Sequence, residues 1–304
     1  MGRATFDRCG ANTLKNPIIL HVNCVEQGQT IEEMCERAVA WGCDGIEFRR
    51  KRAGVEETPE QYLDAIARAQ KRTGMKRVQF GGPGPNLMSM DAAERRRSLD
   101  ECAAFYRAAA KRFKLTVCNT MTGTVVAPNA HYLEFDKNGS AVATEEQWAW
   151  AVEGFKELGA LAQELGFKFA FETHNCFIHD LPSPTLRLVE RIGSPSVGVN
   201  FDYSNICINP AGCSLEEAFG TLKDYIFEAH LQNCFKLHVQ KYYNFISCGL
   251  KDGVINVRKE IRLLKEAGFN GPLVVETPRD GDRETFAQED LSTLRRLLAE
   301  EWAE

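Results

Sequence analysis

The chain has 304 residues, a hydrophobic fraction of 44% and a formal charge of −5 at neutral pH. That is enough apolar material for one large core, the size of a single (β/α)8 barrel, and the acidic balance supplies no field for a polyanion such as nucleic acid. No run approaches the ~18 apolar residues of a membrane span, and the N-terminal MGRATFDRCG has no apolar core of a secretion signal, so a cytoplasmic protein is expected. The eleven cysteines are odd in number, scattered and without a CxxC pair, which reads as reduced thiols.

The elements alternate along the chain. PIILHV at 17–22 is a first apolar run, and Thr30-x-x-Glu33 is a capping box that opens a helix to about Trp41. DGIEF at 44–48 is a second strand, followed by a helix from the Thr58, Pro59, Gln61 cap to about Arg72. A third strand spans 77–80, a long helix is predicted over 92–114, and LTVCN at 115–119 is a fourth strand. The loop 120–143 exceeds a plain connector and suggests a functional lid. Thr144-x-x-Gln147 caps the next helix, to about Leu165.

Phe167 to Phe171 and Val197 to Phe201 are two apolar runs joined by one helix-length segment, with Ser183 and Pro184 as its cap. A capping box at Ser214-x-x-Glu217, a strand at 225–230, a polar loop holding KLHVQKYYNFISCGLKDG, a helix at 254–267, LVV at 273–275 and a helix over about 288–302 complete the chain. Eight strand signals, nearly all followed by helix signals, argue a single (β/α)8 barrel over residues 1–304. An open doubly wound sheet would show a glycine-rich turn after its first strand, and none is present.

The strand ends carry the chemistry. Strands five to eight finish at Glu172, Asp202, His230 and Glu276, on the face where barrel active sites lie. Carboxylates at neighbouring strand ends repel unless a cation lies between them. Three carboxylates and one imidazole make an oxygen-rich ligand set that suits Mn²⁺ best, with Mg²⁺, Co²⁺ or Zn²⁺ as alternatives. His174 lies two residues beyond Glu172, so on an extended strand both side chains face the barrel mouth, and an imidazole titrates near neutrality as a general base should. His238 and Lys236 after strand seven, Arg279 after Glu276, and Glu47 at strand two are candidate substrate contacts. His21 reads as core, and His179 carries no assigned role.

At FETH (171–174), VGVNFDYSN (197–205), AHLQN (229–233), GPLVVETPR (271–279) and DGIEFRR (44–50), the chain resembles the xylose isomerase-like barrel superfamily of sugar isomerases and epimerases. That resemblance implies a xylose isomerase-like TIM barrel in which Glu172, Asp202, His230 and Glu276 hold a divalent metal. It implies a small sugar or sugar-derived substrate, and assembly as a homo-oligomer, a dimer or tetramer. In epimerases of this group Glu172 and Glu276 would be the paired proton-transfer carboxylates. The Glu-Thr-His sequence looks more like the 3-dehydroshikimate dehydratase and C-glycoside lyase branches, in which the histidine is the base and a small accessory subunit is possible. The expected activity is therefore a metal-dependent isomerase or epimerase, with a lyase on the same site as the alternative. DNA-repair endonucleases of the superfamily need a basic groove that this acidic chain lacks.

Overall fold

The computed structural model describes residues 16–52, 54–82, 84–239 and 242–302, apart from the side chains of residues 238, 239 and 242–244. Eight parallel strands form one sheet: β1 (Ile18–His21), β2 (Gly45–Arg49), β3 (Arg77–Gly81), β4 (Val117–Thr120), β5 (Lys168–Glu172), β6 (Val197–Asp202), β7 (Ile226–Leu231) and β10 (Leu273–Val275). Their order is β3-β2-β1-β10-β7-β6-β5-β4, and β4 returns beside β3 to bring the barrel near closure. Around it lie α1 (Ile31–Ala40), α2 (Pro59–Thr73), α3 (Ala92–Ala110), α4 (Glu145–Leu165), α5 (Pro182–Ile192), α6 (Tyr203–Ile208), α7 (Leu215–Leu222), α8 (Val257–Glu266) and α9 (Arg283–Trp302).

All four predicted capping boxes form: Thr30 with Glu33, Thr58 with Gln61, Thr144 with Gln147, and Ser214 with Glu217. Each satisfies two helix-end donors, and a cap of this kind stabilises by about 1 kcal/mol. The cap expected at Ser183 and Pro184 is displaced. The helix begins at Pro182, because a proline at the first helical position gives up no hydrogen bond, and Leu181 precedes it without a side-chain cap.

The core lies outside the barrel wall, between strands and helices. Phe169 and Phe171 face outward from β5; Phe169 meets Tyr106 edge-on at 4.8 Å and Phe171 meets Phe155 at 4.4 Å. Because a strand alternates faces, the neighbours of these aromatics point into the barrel. Glu47, Gln79, Asn119, Asn200 and Glu228 are all buried in this way. Barrel interiors are usually filled by Val, Ile and Leu, so this one is polar to an unusual degree.

The segment read as a polar loop after strand seven is an antiparallel hairpin, β8 (Cys234–Val239) and β9 (Tyr242–Ser247), with Cys234 opposite Ser247 and Phe235 opposite Ile246. Its alternation of Phe235, Leu237 and Val239 with Lys236 and His238 is a period-two signal that the charges mask. Asn233 anchors both ends. Its side chain donates to the carbonyls of Leu250 and Ile255 and accepts from the amides of Cys234 and Ile255, while its carbonyl accepts from Cys248.

The long loop after β4 contains two short 3-10 turns and is tied down rather than free. Val125 donates to the Cys176 carbonyl, and the Ser140 amide donates to Asp180. Among the described residues the cysteines are all free thiols, and no helix is long and apolar enough to cross a membrane.

Candidate metal centre

Register sets successive ligand candidates level or two residues apart from strand to strand, and their side chains converge. Glu172 is paired with Asn200, Asp202 with His230, and Val275 with Leu231, so Glu276 follows directly at the rim. Glu172, Asp202, His230 and Glu276 are all buried, and one donor atom from each lies within 4.8 Å of the others. His230 Nδ1 is 2.7 Å from Glu276 Oε2 and 3.9 Å from Glu172 Oε2.

Amides hold each carboxylate in place. Asn119 donates to Glu172 Oε2 at 2.7 Å and Asn205 to Oε1 at 3.2 Å. Gln232 donates to Asp202 Oδ2 at 2.6 Å and to Glu276 Oε2 at 3.3 Å, while Asn23 donates to Glu276 Oε1 at 3.0 Å. Asp202 Oδ1 also accepts the Asn205 amide and so caps α6, a short helix the sequence reading passed over. Ligand candidate and helix cap are therefore one residue.

The charges are uneven. Burial, then the charge of Glu172, pushes the Asp202 carboxyl well above its ordinary range. Burial also opposes ionisation of Glu276, but the neighbouring imidazoles of His21 and His230 overcome it and bring its pKa down to about 2. Burial disfavours a charged His230 as well, and the charge of Glu47 and the contact with Glu276 outweigh that, raising it well above its usual value. Three buried carboxylates this close together repel when ionised, and a cation among them would relieve that repulsion.

The donor set fits a divalent ion. His230 Nδ1 is buried and, despite its nearness to Glu276, makes no aligned hydrogen bond. A ring nitrogen facing three carboxylates, each already oriented by an amide, is the arrangement a hard cation such as Mn²⁺ or Mg²⁺ requires.

The other predicted residues divide. The Nδ1 of His174 lies 2.9 Å from the Asn175 carbonyl, and the ring lies near Glu276. A carbonyl only accepts, so Nδ1 carries a hydrogen, and in the neutral ring the lone pair is on Nε2. Glu47 does not reach the mouth as a substrate contact would. It is fully buried, with Oε2 3.3 Å from His230 Nε2. Arg279 turns away to Asp290, the Phe286 carbonyl and the Phe286 ring. Lys236 is exposed on β8, and the side chain of His238 lies outside the described residues.

Two residues belong to the site against expectation. His21 Nδ1 is 3.4 Å from Glu276 Oε1 and its Nε2 is 3.6 Å from Glu47 Oε1. His179 accepts the Thr122 amide at Nε2, so its Nδ1 donates to the Glu172 carbonyl at 2.6 Å. Burial lowers its pKa to about 3, which keeps it neutral and in that tautomer. The signal for Asn23, Asn119, Asn205 and Gln232 lay in HVN, VCN, DYSN and HLQ: amides at or just past strand ends, Asn205 and Gln232 beside ligand candidates and Asn23 and Asn119 on strands that carry none.

Fold and strand-end chemistry define a xylose isomerase-like (β/α)8 barrel. The family profile described as Xylose isomerase-like TIM barrel matches residues 35–297, and the chain belongs to that family. It is similar to an inosose dehydratase of Clostridium perfringens, 26% identical over 157 residues, which are 47% of this chain and 51% of that protein. The chain thus spans about half the length of the curated relatives it matches. Among solved structures, a xylose isomerase-like TIM barrel protein from Mycobacterium smegmatis in complex with magnesium is 18% identical with a TM-score of 0.73, covering 94% of this chain and 98% of that one. A D-psicose 3-epimerase is 17% identical with a TM-score of 0.72, covering 93% and 99%. The probable 3-DHS dehydratase of Bacillus anthracis is 17% identical with a TM-score of 0.67, covering 92% and 98%.

Proposed function

We propose that this single-barrel chain is a divalent-metal-dependent isomerase or epimerase of a small polyhydroxylated carbonyl compound, a free or phosphorylated sugar. The observation that carries the reading is the convergence of Glu172, Asp202, Glu276 and the unaligned Nδ1 of His230 on one buried point. A divalent ion there, Mn²⁺ by preference, supplies Lewis-acid polarisation of a substrate carbonyl and so acidifies the adjacent C–H. Glu172 and Glu276, on different strands, act as the acid–base pair on the two faces of that carbon. Asn23, Asn119, Asn205 and Gln232 keep both carboxylates oriented, and burial keeps water away.

A lyase outcome has its own support in His174. Its Nδ1 is tied to a carbonyl, so Nε2 is a ready base, and a second base beside the same carbon can assist expulsion of a β-leaving group. The similarity to inosose dehydratase over half the chain points the same way.

Proton exchange in D₂O separates the two. The protein is loaded with Mn²⁺, incubated with ketoses, an inosose, 3-dehydroshikimate and 3-keto-glycosides, and the ion is removed before NMR. Deuterium entering a substrate of otherwise unchanged mass supports the isomerase; loss of water or aglycone, abolished by His174→Ala, moves the protein to the lyase. Failure of the wild type to bind any divalent ion sinks both.

A further inference from the structure

His230 faces a carboxylate at each ring nitrogen. Nδ1 faces the carboxylates, whereas Nε2 faces the opposite way, into the barrel, toward Glu47 Oε2 at 3.3 Å. Glu47 comes from β2, three strands away across β1 and β10. It is fully buried, and its other oxygen lies 3.5 Å from the Asn119 amide nitrogen, the same group that donates to Glu172. Glu228 stands behind it. Donor atoms of Glu47, Glu228 and His230 fall within 4.8 Å of one another, and Gln79 fixes Glu228 by a 2.6 Å hydrogen bond.

The barrel makes room for this carboxylate. Gly81 ends the neighbouring strand β3, and a Cβ placed there would sit 2.1 Å from Glu47 Oε1 and 3.0 Å from its Cδ. The glycine keeps a negative φ, so what requires it is space and not backbone conformation. Apolar residues would fill this level of a barrel at no desolvation cost, so a buried carboxylate with a cavity kept open for it calls for a reason other than stability.

An imidazole carries one hydrogen when neutral. If Nε2 holds it, donating to Glu47, the Nδ1 lone pair is left free; if Nδ1 holds it, the ring cannot ligate there. We propose that Glu47 is a positioning residue that fixes His230 as the Nε2–H tautomer with Nδ1 presented to the metal, and that Gly81 exists to seat it. This rests on the metal reading above and assigns no substrate contact to Glu47.

The test uses the full chain stripped with EDTA, with Mn²⁺ affinity measured by equilibrium dialysis. Glu47→Leu removes the acceptor, and loss of an outer partner of a ligating histidine is expected to weaken metal affinity about 10- to 100-fold. Glu47→Gln keeps an oxygen acceptor for Nε2–H and should recover most of that loss. Gly81→Ala leaves Glu47 in place chemically but displaces its carboxylate, and should weaken binding in the same direction. ¹⁵N-histidine NMR of the protein loaded with diamagnetic Mg²⁺ should show His230 protonated at Nε2, a signature that a merely structural role would not set.

Wild-type affinity in folded Glu47→Leu overturns the proposal, as does a His230 hydrogen on Nδ1. Should Glu47→Leu not fold, the comparison of Gly81→Ala with Glu47→Gln decides: unchanged affinity in Gly81→Ala overturns it. The parent reading fails separately, if the wild type binds no Mn²⁺ or if Glu172→Gln binds it equally well.

Discussion

Asp202→Asn should make the protein more stable and its metal site worse. Asp202 is fully buried, and burial together with the Glu172 charge raises its pKa, so the folded state holds its proton more tightly than the unfolded chain does. The stability that this proton contributes is complete below about pH 3.9 and is lost as pH rises through the folded value, at about 1.4 kcal/mol per pH unit. By pH 7 the accumulated penalty is at most about 4 kcal/mol. Asparagine has the same shape, keeps the oxygen that caps α6, and does not ionise. Its amide nitrogen would face the Gln232 donor, which costs about 1–3 kcal/mol. The net expectation for the EDTA-treated protein at pH 7 is a gain of about 1–3 kcal/mol, shrinking toward pH 4. Urea denaturation at several pH values measures it. Mn²⁺ at about 100 times its dissociation constant should then add about 2.7 kcal/mol to the wild type and less to the variant. A variant less stable than the wild type without metal, or an equal response of the two to Mn²⁺, would refute the reasoning.

Other changes have equally definite signs. Glu260 is buried in α8 with one oxygen unpartnered, and burial alone raises its pKa from 4.5 to about 8. The stability it lends is therefore full below about pH 4.5 and lost by about pH 8, so Glu260→Gln should flatten denaturation midpoints across that window and stabilise by a few kcal/mol at its alkaline end. His179→Ala removes the donor to the Glu172 carbonyl and orphans the Thr122 amide, with about 1–3 kcal/mol lost and weaker Mn²⁺ binding by calorimetry. Phe169→Ala empties the aromatic layer against Tyr106, Phe167 and Phe155 and should cost about 3–5 kcal/mol in denaturant without changing metal affinity.

The eight barrel strands were legible because each is a short apolar run between turn signals, and the four helix caps because their residue types are few. The ligand candidates were legible for a related reason: a strand end is a fixed place in a barrel, so FETH, NFDYS, EAHLQ and VVETP all fall at the barrel mouth. What distance in sequence hides is partnership. Arg279 follows Glu276 and so looked like a contact for substrate, but Asp290, from α9, claims its guanidinium. Glu47 pointed the right way but one level too deep, because strand tilt sets depth and periodicity does not report it. His21 resembled core since it ends an apolar run, and only the closed barrel brings it beside Glu276, 255 positions later.

The hairpin that leaves and returns at Asn233 makes the molecule modular. Gln232, which grips Asp202 and Glu276, sits on the barrel side of that knot, and the two strands β8 and β9 sit on the other. The length or exposed face of the appendage can thus change while the amide grip on Asp202 and Glu276 stays still. Replacing residues 235–246 with a short turn should leave the Mn²⁺ dissociation constant unchanged, and a large loss of affinity would show that the two parts are not separable.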